Sequence, residues 1–348
     1  MERLVRDCFR TGGYVFAKKA DERGLSRIAR LASNENPEAP SPKARAAAKK
    51  ALGQANRYPD ERVDVLINAL RAYYGDYSFV TGVGMDGVIE TLIRTLVEPG
   101  ETVAIATPTF SFYGLAAVAQ GGKVTTVSRK KKDFSVDAKQ LVRAGRTAKV
   151  TILCSPNNPT GNATPVEIVR EVLDGIDGVL FLDNAYGEFS DCDYLPLMKQ
   201  YDNLVLGRTF SKVHSLAGLR IGYAFVPPWI VPYYQRAGTP FTVNSVSAAA
   251  AAAALADRDH PKRYIAQVKR WRKRFADEVK YPVLPSDANF MMVDVSPDTG
   301  DQMVEKLQQH GVVVRSCRSF AGLPDHYIRV SIGEDWENEL FMKAMNGL

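Results

Sequence analysis

Lys212 closes the stretch Gly207-Arg208-Thr209-Phe210-Ser211-Lys212, which follows a short run of branched apolar residues. The hydroxyls of Thr209 and Ser211 lie beside it, and Arg220 follows one short loop later. Hydroxyls and a two-donor guanidinium fork together can hold an anion. Asp183 opens a second stretch, Asp183-Asn184-Ala185-Tyr186-Gly187-Glu188-Phe189, after another apolar run. A carboxylate at the end of a buried strand is costly unless a cation meets it. The turn Asn157-Asn158-Pro159-Thr160-Gly161 and the stretch Thr107-Pro108-Thr109-Phe110 end further apolar runs with amides, hydroxyls and an aromatic ring.

The stretch Thr81 to Glu90 contains Gly82-Val83-Gly84-Met85-Asp86-Gly87, which fits G-x-G-x-x-G. A dinucleotide site also needs an acidic residue at the end of the next strand to hold the ribose. The next apolar run, 103–106, ends in Thr107-Pro108-Thr109-Phe110 without a carboxylate. What remains is a glycine turn opening a helix, since Val88, Ile89, Leu92, Ile93 and Leu96 keep a helical period. Such a turn seats a single phosphate. One ligand asks for all of these groups: a ring with a protonatable nitrogen, a neighbouring oxygen, an aldehyde and a phosphate. Pyridoxal 5'-phosphate carries them.

These residues need elements to hold them. Apolar runs at 102–106, 150–154, 179–182, 204–206 and 221–226 are rich in Val, Ile and Leu and do not alternate with polar residues. That is the pattern of strands buried on both faces. Helical stretches lie between several of them, as at 165–173. The expected fold class is α/β: a large domain over residues 41–246 with a mostly parallel sheet and helices on both faces. In such sheets ligands bind outside the carboxyl ends of the strands. The alanine-rich stretch 247–255 opens a helix, and 267–279 forms a charged surface helix. Strands at 289–295, 312–315 and 327–332 and helices at 301–310 and 336–345 complete a smaller α+β domain of residues 1–40 and 247–348.

Bulk properties narrow the classes. The 348 residues are 45% hydrophobic and 24% charged, the proportions of a globular protein. No apolar run is long enough to span a bilayer, and the stretch MERLVRDCFR has no apolar signal core, so a cytoplasmic location is expected. Cys8, Cys154, Cys192 and Cys317 have no metal-ligand spacing to one another or to histidine, so no metal site is expected. A net charge of +6 favours an anionic substrate and is too small to point to nucleic acid. The run Arg129-Lys130-Lys131-Lys132 reads as a solvated turn, with a basic steering patch as the alternative.

Five motifs in this order carry a resemblance over nearly the whole chain: Ser33-Asn34-Glu35-Asn36-Pro37, Arg57-Tyr58-Pro59-Asp60, Ser155-Pro156-Asn157-Asn158-Pro159-Thr160-Gly161, Ser211-Lys212, and Leu216-Ala217-Gly218-Leu219-Arg220-Ile221-Gly222-Tyr223. On them the sequence resembles the fold-type I pyridoxal-phosphate-dependent aminotransferases, and among these the histidinol-phosphate aminotransferases. The resemblance implies that Lys212 bonds the cofactor's aldehyde and then moves the substrate's proton. It implies that Asp183 pairs with the ring nitrogen, that Asn158 and Tyr186 bond the ring oxygen, and that Phe110 lies on the ring face. The phosphate falls to Gly84, Met85, Asp86, Thr209, Ser211 and Arg220, with Tyr58 reaching the site of the partner in a homodimer. Arg315 and Arg329 take the substrate's anionic end, with Tyr14 and Asn34 at the entrance.

Other readings of the same residues stand beside these. Asp183 can cap a helix, the Asn157-Asn158-Pro159 segment can be a plain turn, Phe110 can be core, and Arg315 and Arg329 can pair with nearby acids. The sequence departs from the family pattern at Asn184, at His214 and at Gly12-Gly13-Tyr14. The implied reaction is transamination between L-histidinol phosphate and 2-oxoglutarate in histidine biosynthesis. The alternatives are an aminotransferase of the same fold for aromatic or other amino acids, a threonine-phosphate decarboxylase, and a non-catalytic cofactor-binding protein.

Overall fold

The computed structural model describes residues 2–10, 13–15 and 27–348. Its strands are β1 (Ala29–Arg30), β2 (Ser78–Val83), β3 (Thr102–Thr107), β4 (Lys123–Ser128), β5 (Val150–Cys154), β6 (Val179–Asp183), β7 (Leu204–Thr209), β8 (Ile221–Val226), β9 (Phe290–Asp294), β10 (Val312–Val313), β11 (Arg315–Ser316) and β12 (Tyr327–Ser331). Seven of them form the large sheet in the order β2-β8-β7-β6-β5-β3-β4. Neighbours from β7 to β4 run parallel, and β8 runs antiparallel to both β7 and β2.

Every residue of β5 and β6 is buried, as their unbroken apolar runs require. Alternation then sorts the side chains between two cores. Leu180, Leu182, Leu204 and Leu206 join one face, while Val179, Phe181 and Val205 join the other. Register fixes the functional edge: Cys154 lies beside Asp183, Asp183 beside Gly207, and Thr209 beside Gly222. Because β8 runs backwards, its first residues, with Arg220 just before them, arrive where β5, β6 and β7 finish. Strand β2 is absent from the apolar runs read in the sequence; Thr81-Gly82 and the half-exposed Ser78 dilute its pattern.

A second sheet, β11-β12-β9, is antiparallel. The run expected at 312–315 divides in two: β10 pairs in parallel with β1, and β11 turns to pair with β12. The chain's beginning is thus laced to its end. The expected domain boundary at residue 246 falls inside the helix Ser245–Leu255. The buried alanines of that helix, Ala248, Ala250, Ala251 and Ala254, pack with the helices Pro42–Leu52 and Asp64–Tyr74 in a core of the large sheet. Small side chains permit that close approach.

The basic run also departs from expectation. Lys130, Lys131 and Lys132 are exposed, but Arg129 is buried and donates to the carbonyls of Phe134 (3.3 Å) and Cys154 (3.2 Å). Burial pulls its guanidinium down to about 10. Arg129 therefore braces the end of β5 instead of joining a solvated turn.

Candidate active site

The strand ends converge on a cavity of about 380 Å3, a size suited to a small ligand. It is lined by Met85, Asp86, Phe110, Asn158, Asp183, Tyr186, Thr209, Ser211, Lys212 and Arg220 from the large sheet's edge, and by Arg315 and Arg329 from the second sheet, with Tyr14 and Asn34. All the site residues expected from the sequence meet here except Gly84, which backs the wall, and Tyr58. Tyr58 is 83% exposed and stacks on Phe241 at a centroid distance of 4.7 Å, outside the cavity. Gly12 of the Gly12-Gly13-Tyr14 segment lies outside the described residues.

Asp183 ends β6 almost wholly buried. It accepts from Tyr113 Oη at 2.7 Å and from the Ala185 amide at 3.0 Å. Both donors are neutral. Burial accordingly pushes the carboxyl up to about 6, with those two hydrogen bonds opposing the rise. A cationic ring N–H is the partner such a carboxylate lacks. Lys212 Nζ donates to the Ser33 carbonyl at 3.2 Å and lies 5.7 Å from the centre of the Tyr186 ring. Burial, helped by the charge of Arg329, brings its ammonium down to about 8.

The phosphate end is set by backbone shape. Gly84 has φ of +68°, a left-handed conformation, and starts the helix Gly84–Leu96, whose first turn has no side-chain cap. A Cβ on Gly84 would come within 2.5 Å of Arg220 Nη2, and one on Gly222 within 2.7 Å of the Met85 nitrogen. The two glycines leave room for uncapped helix N–H groups and the Arg220 fork to face one another. Arg220 is held there by Asp86 at 2.8 Å. These features fit pyridoxal phosphate: a seat for one anion, a buried carboxylate short of a cation, and an amine with a lowered pKa.

Hydrogen bonds assign donor and acceptor roles. Asn158 Oδ1 accepts from Arg329 Nη1, so its amide nitrogen is the group left to offer. Tyr186 Oη accepts from Asn34 Nδ2 at 3.1 Å and keeps its own proton to donate. Asn34 Oδ1 accepts from Ser331 Oγ at 3.1 Å; its amide is thus engaged with the protein, and it acts on Tyr186 from behind. Phe110 meets Tyr14 edge-on at 5.7 Å. Arg315 and Arg329 are register neighbours across β11 and β12. Arg315 donates to the Val15 carbonyl and to Ser319 Oγ, and Arg329 to Asn158 and the Ala32 carbonyl. Among the described residues neither has a carboxylate partner, and Arg329 Nε is buried without any acceptor.

Sequence reasoning missed Tyr113. The signal was a tyrosine in the otherwise apolar helix Phe112–Ala119, since a buried phenol needs a partner. It also missed Asn157 as a brace: this side chain accepts from Thr109 Oγ1 at 2.8 Å and donates to the Pro108 carbonyl at 3.0 Å, tying two strand-end loops together. His214 packs on Phe210 at 5.1 Å, and burial brings it down to about 4, so it is a neutral packed residue. Asn184 is buried and donates to the Ser155 carbonyl, again bracing one strand end on the next.

Residues 26–345 match the family described as aminotransferase class I and II. The chain is 61% identical, over 100% of both sequences, to a histidinol-phosphate aminotransferase of Methanoculleus marisnigri. It is 54% identical, over 99% of each, to one of Methanosphaerula palustris. The crystal structure of histidinol-phosphate aminotransferase from Sinorhizobium meliloti in complex with pyridoxal-5'-phosphate superposes with a TM-score of 0.88 at 28% identity, covering 99% of this chain and 96% of that one. The chain belongs to the aminotransferase class I and II family.

Proposed function

We propose that this chain transfers an amino group from L-histidinol phosphate to 2-oxoglutarate, giving imidazole acetol phosphate and glutamate, as a step of histidine biosynthesis. The observation that carries the reading is the pair of neighbouring arginines without an acid partner among the described residues, lining the same cavity as Lys212 and Asp183. The histidinol-phosphate aminotransferases to which the chain is 61% and 54% identical support that choice of substrate.

In this reading the cavity takes pyridoxal 5'-phosphate. Asp183 would hold its ring nitrogen, Asn158 and Tyr186 its ring oxygen, Phe110 its face, and Gly84, Met85, Asp86, Thr209, Ser211 and Arg220 its phosphate. When bound, the cofactor supplies an aldehyde that takes up an amine and a ring that draws electrons from the carbon about to lose a proton. Lys212 Nζ moves that proton. An amine brought down to about 8 is partly unprotonated at neutral pH and can accept it, then return it. Arg315 and Arg329 orient the substrate by its anionic end. A guanidinium fork suits phosphate and carboxylate alike, so one site serves both half-reactions. Tyr14, edge-on to Phe110, lines the cavity and offers the substrate a hydroxyl.

The active unit in this reading is a homodimer in the cytoplasm, with Tyr58 reaching the cofactor phosphate of the partner. The exposed aromatic stack of Tyr58 on Phe241, with exposed Leu52 and Val65, supports a covered face there. In this reading the cofactor-binding domain is residues 41–246, extended through the helix Ser245–Leu255, and Ala29 and Leu31 pack in the core of the remainder of 247–348.

The test is spectroscopic. The holoprotein is mixed with candidate amines, with and without 2-oxoglutarate, and visible absorption is followed. Conversion to the pyridoxamine form by histidinol phosphate, reversed by 2-oxoglutarate, is the expected result. Release of carbon dioxide from threonine phosphate, or conversion by aromatic amino acids alone, would replace the reading.

A further inference from the structure

We infer that Arg208 and Glu188, a charged pair on the sheet face turned away from the cavity, are positioning residues that hold Tyr186 in place for the reaction. The inference rests on the role of Tyr186 given above. Arg208 Nη1 lies 3.0 Å from a Glu188 carboxylate oxygen, and the two side chains are only 12% and 16% exposed. Strand alternation puts Arg208 opposite to Thr209, which lines the cavity. Around the pair stand Tyr74 and Tyr223, whose hydroxyls are 2.8 Å apart, and His214, which feels the Arg208 charge. None of these lines the cavity.

The pair spans a seam. After Asp183 the chain leaves the large sheet, and the turn Gly187–Phe189 packs into the core of the smaller unit. Tyr186 and Phe189 both belong to that core; Phe189 meets Tyr264 at 5.6 Å, and its carbonyl accepts from Arg272. On the other side of the seam, β7 delivers Thr209, Ser211 and Lys212. The last backbone link between the two is Asn184 N to Gly207 O at 2.9 Å. Arg208–Glu188 is the next link outward, one residue from Thr209 at one end and two from Tyr186 at the other.

Stability does not account for it. A buried ion pair contributes little over apolar residues of the same volume, whereas breaking it by removing one partner is strongly destabilising. What the pair adds is a fixed direction between the turn after β6 and the end of β7, whose Leu204 and Leu206 belong to the large sheet's core. Tyr186 Oη must then stay within reach of both Asn34 and the cofactor's ring oxygen.

The test compares Arg208→Met and Glu188→Leu singly with the double variant. Each single change is expected to lower the melting temperature of the apoprotein, and the double variant to recover most of the loss. In the double variant kcat is expected to fall about tenfold with KM near its parental value, the cost of a small misplacement at the site. The pH midpoint of the bound cofactor's visible absorption is expected to rise by about one unit. A donated hydrogen bond favours the anionic form of the ring oxygen, and its loss disfavours it. A double variant with recovered stability and parental kcat and midpoint overturns the inference. Should the double variant fail to fold, Glu188→Gln, which removes the charge at the same shape, carries the same readouts, and an unchanged midpoint and kcat overturn it equally. Failure of the parent protein to respond to histidinol phosphate at all would sink the proposed function instead, and is scored separately.

Discussion

The cavity has two ends built by opposite means. At the sheet edge, Asp183 is a buried carboxylate whose hydrogen-bond partners among the described residues, the Tyr113 hydroxyl and the Ala185 amide, are neutral. At the other end, Arg315 and Arg329 are two neighbouring cations satisfied by carbonyl, hydroxyl and amide oxygens. Among the described residues, each end is short of one opposite charge. The first shortfall lies against the strand ends, where a resident ring can fill it. The second lies where the proposed function puts the substrate's anionic end. Burial acts on both ends: it pushes the Asp183 carboxyl up to about 6 and holds the Arg315 guanidinium below its ordinary value. The same cavity therefore holds two incomplete ion pairs of opposite sign, and removing either half has a different signature.

The largest effect is expected at the sheet edge. Lys212→Ala removes the amine proposed to bond the cofactor and to move the proton, and turnover with histidinol phosphate and 2-oxoglutarate is expected to fall by about 10^4-fold. A variant within tenfold of the parent would break the assignment. Asp183→Asn comes next, with a loss of about 10^2–10^3-fold, the usual cost of one electrostatic stabiliser. It also carries a signature of the opposite sign in the apoprotein. The folded carboxyl titrates near 6, above its ordinary 3.8, so ionising it in the fold is unfavourable. Above pH 6 the parent bears that penalty in full, and the penalty fades as pH falls from 6 towards 4. The Asp183→Asn apoprotein would thus be more stable than the parent at pH 7, by up to about 3 kcal/mol, with the difference gone below about pH 4. Thermal melts at the two pH values decide it.

The same contrast explains what the sequence made legible. Asp183 ends the apolar run of β6, and Thr209 and Lys212 follow closely on the run 204–206 of β7, so these groups announce their place at the sheet edge. Arg220 was placed there by its motif, and the reversal of β8 supplies the physical reason. The partners of these groups were not legible, because they come from afar. Tyr113 meets Asp183 across 70 residues, and Arg329 meets Asn158 across 171. Arg129 sits among exposed lysines, and nothing local distinguishes it from them. The split of 312–315 into β10 and β11 depends on pairing with β1 and β12, which no local pattern records.

A middle-sized effect sharpens the far end. Arg329→Lys keeps the charge and loses the planar fork, which is worth about 1.5–3 kcal/mol for hydrogen bonds to a charged group. KM for histidinol phosphate and for 2-oxoglutarate are both expected to rise by about 10–10^2-fold, and together, because one site takes both anions. A rise for one substrate alone would mean that the two anions bind at different places.

The smallest effect probes the link behind the sheet edge. Tyr113→Phe removes the stronger of the two hydrogen bonds that hold the Asp183 carboxyl down against burial. Its loss raises that pKa further, by about one unit. With Asp183 in its proposed role, cofactor binding by the apoprotein needs the carboxyl ionised, and affinity is expected to fall as pH drops through about 6 in the parent. In Tyr113→Phe the fall is expected to begin about one pH unit higher, with affinity at pH 8 nearly unchanged. A titration of cofactor affinity against pH reads this directly. Parallel curves displaced equally at every pH would mean that Tyr113 fills space beside Asp183 without setting its charge, and the neutral partners would then be packing, leaving burial alone to define that half of the cavity.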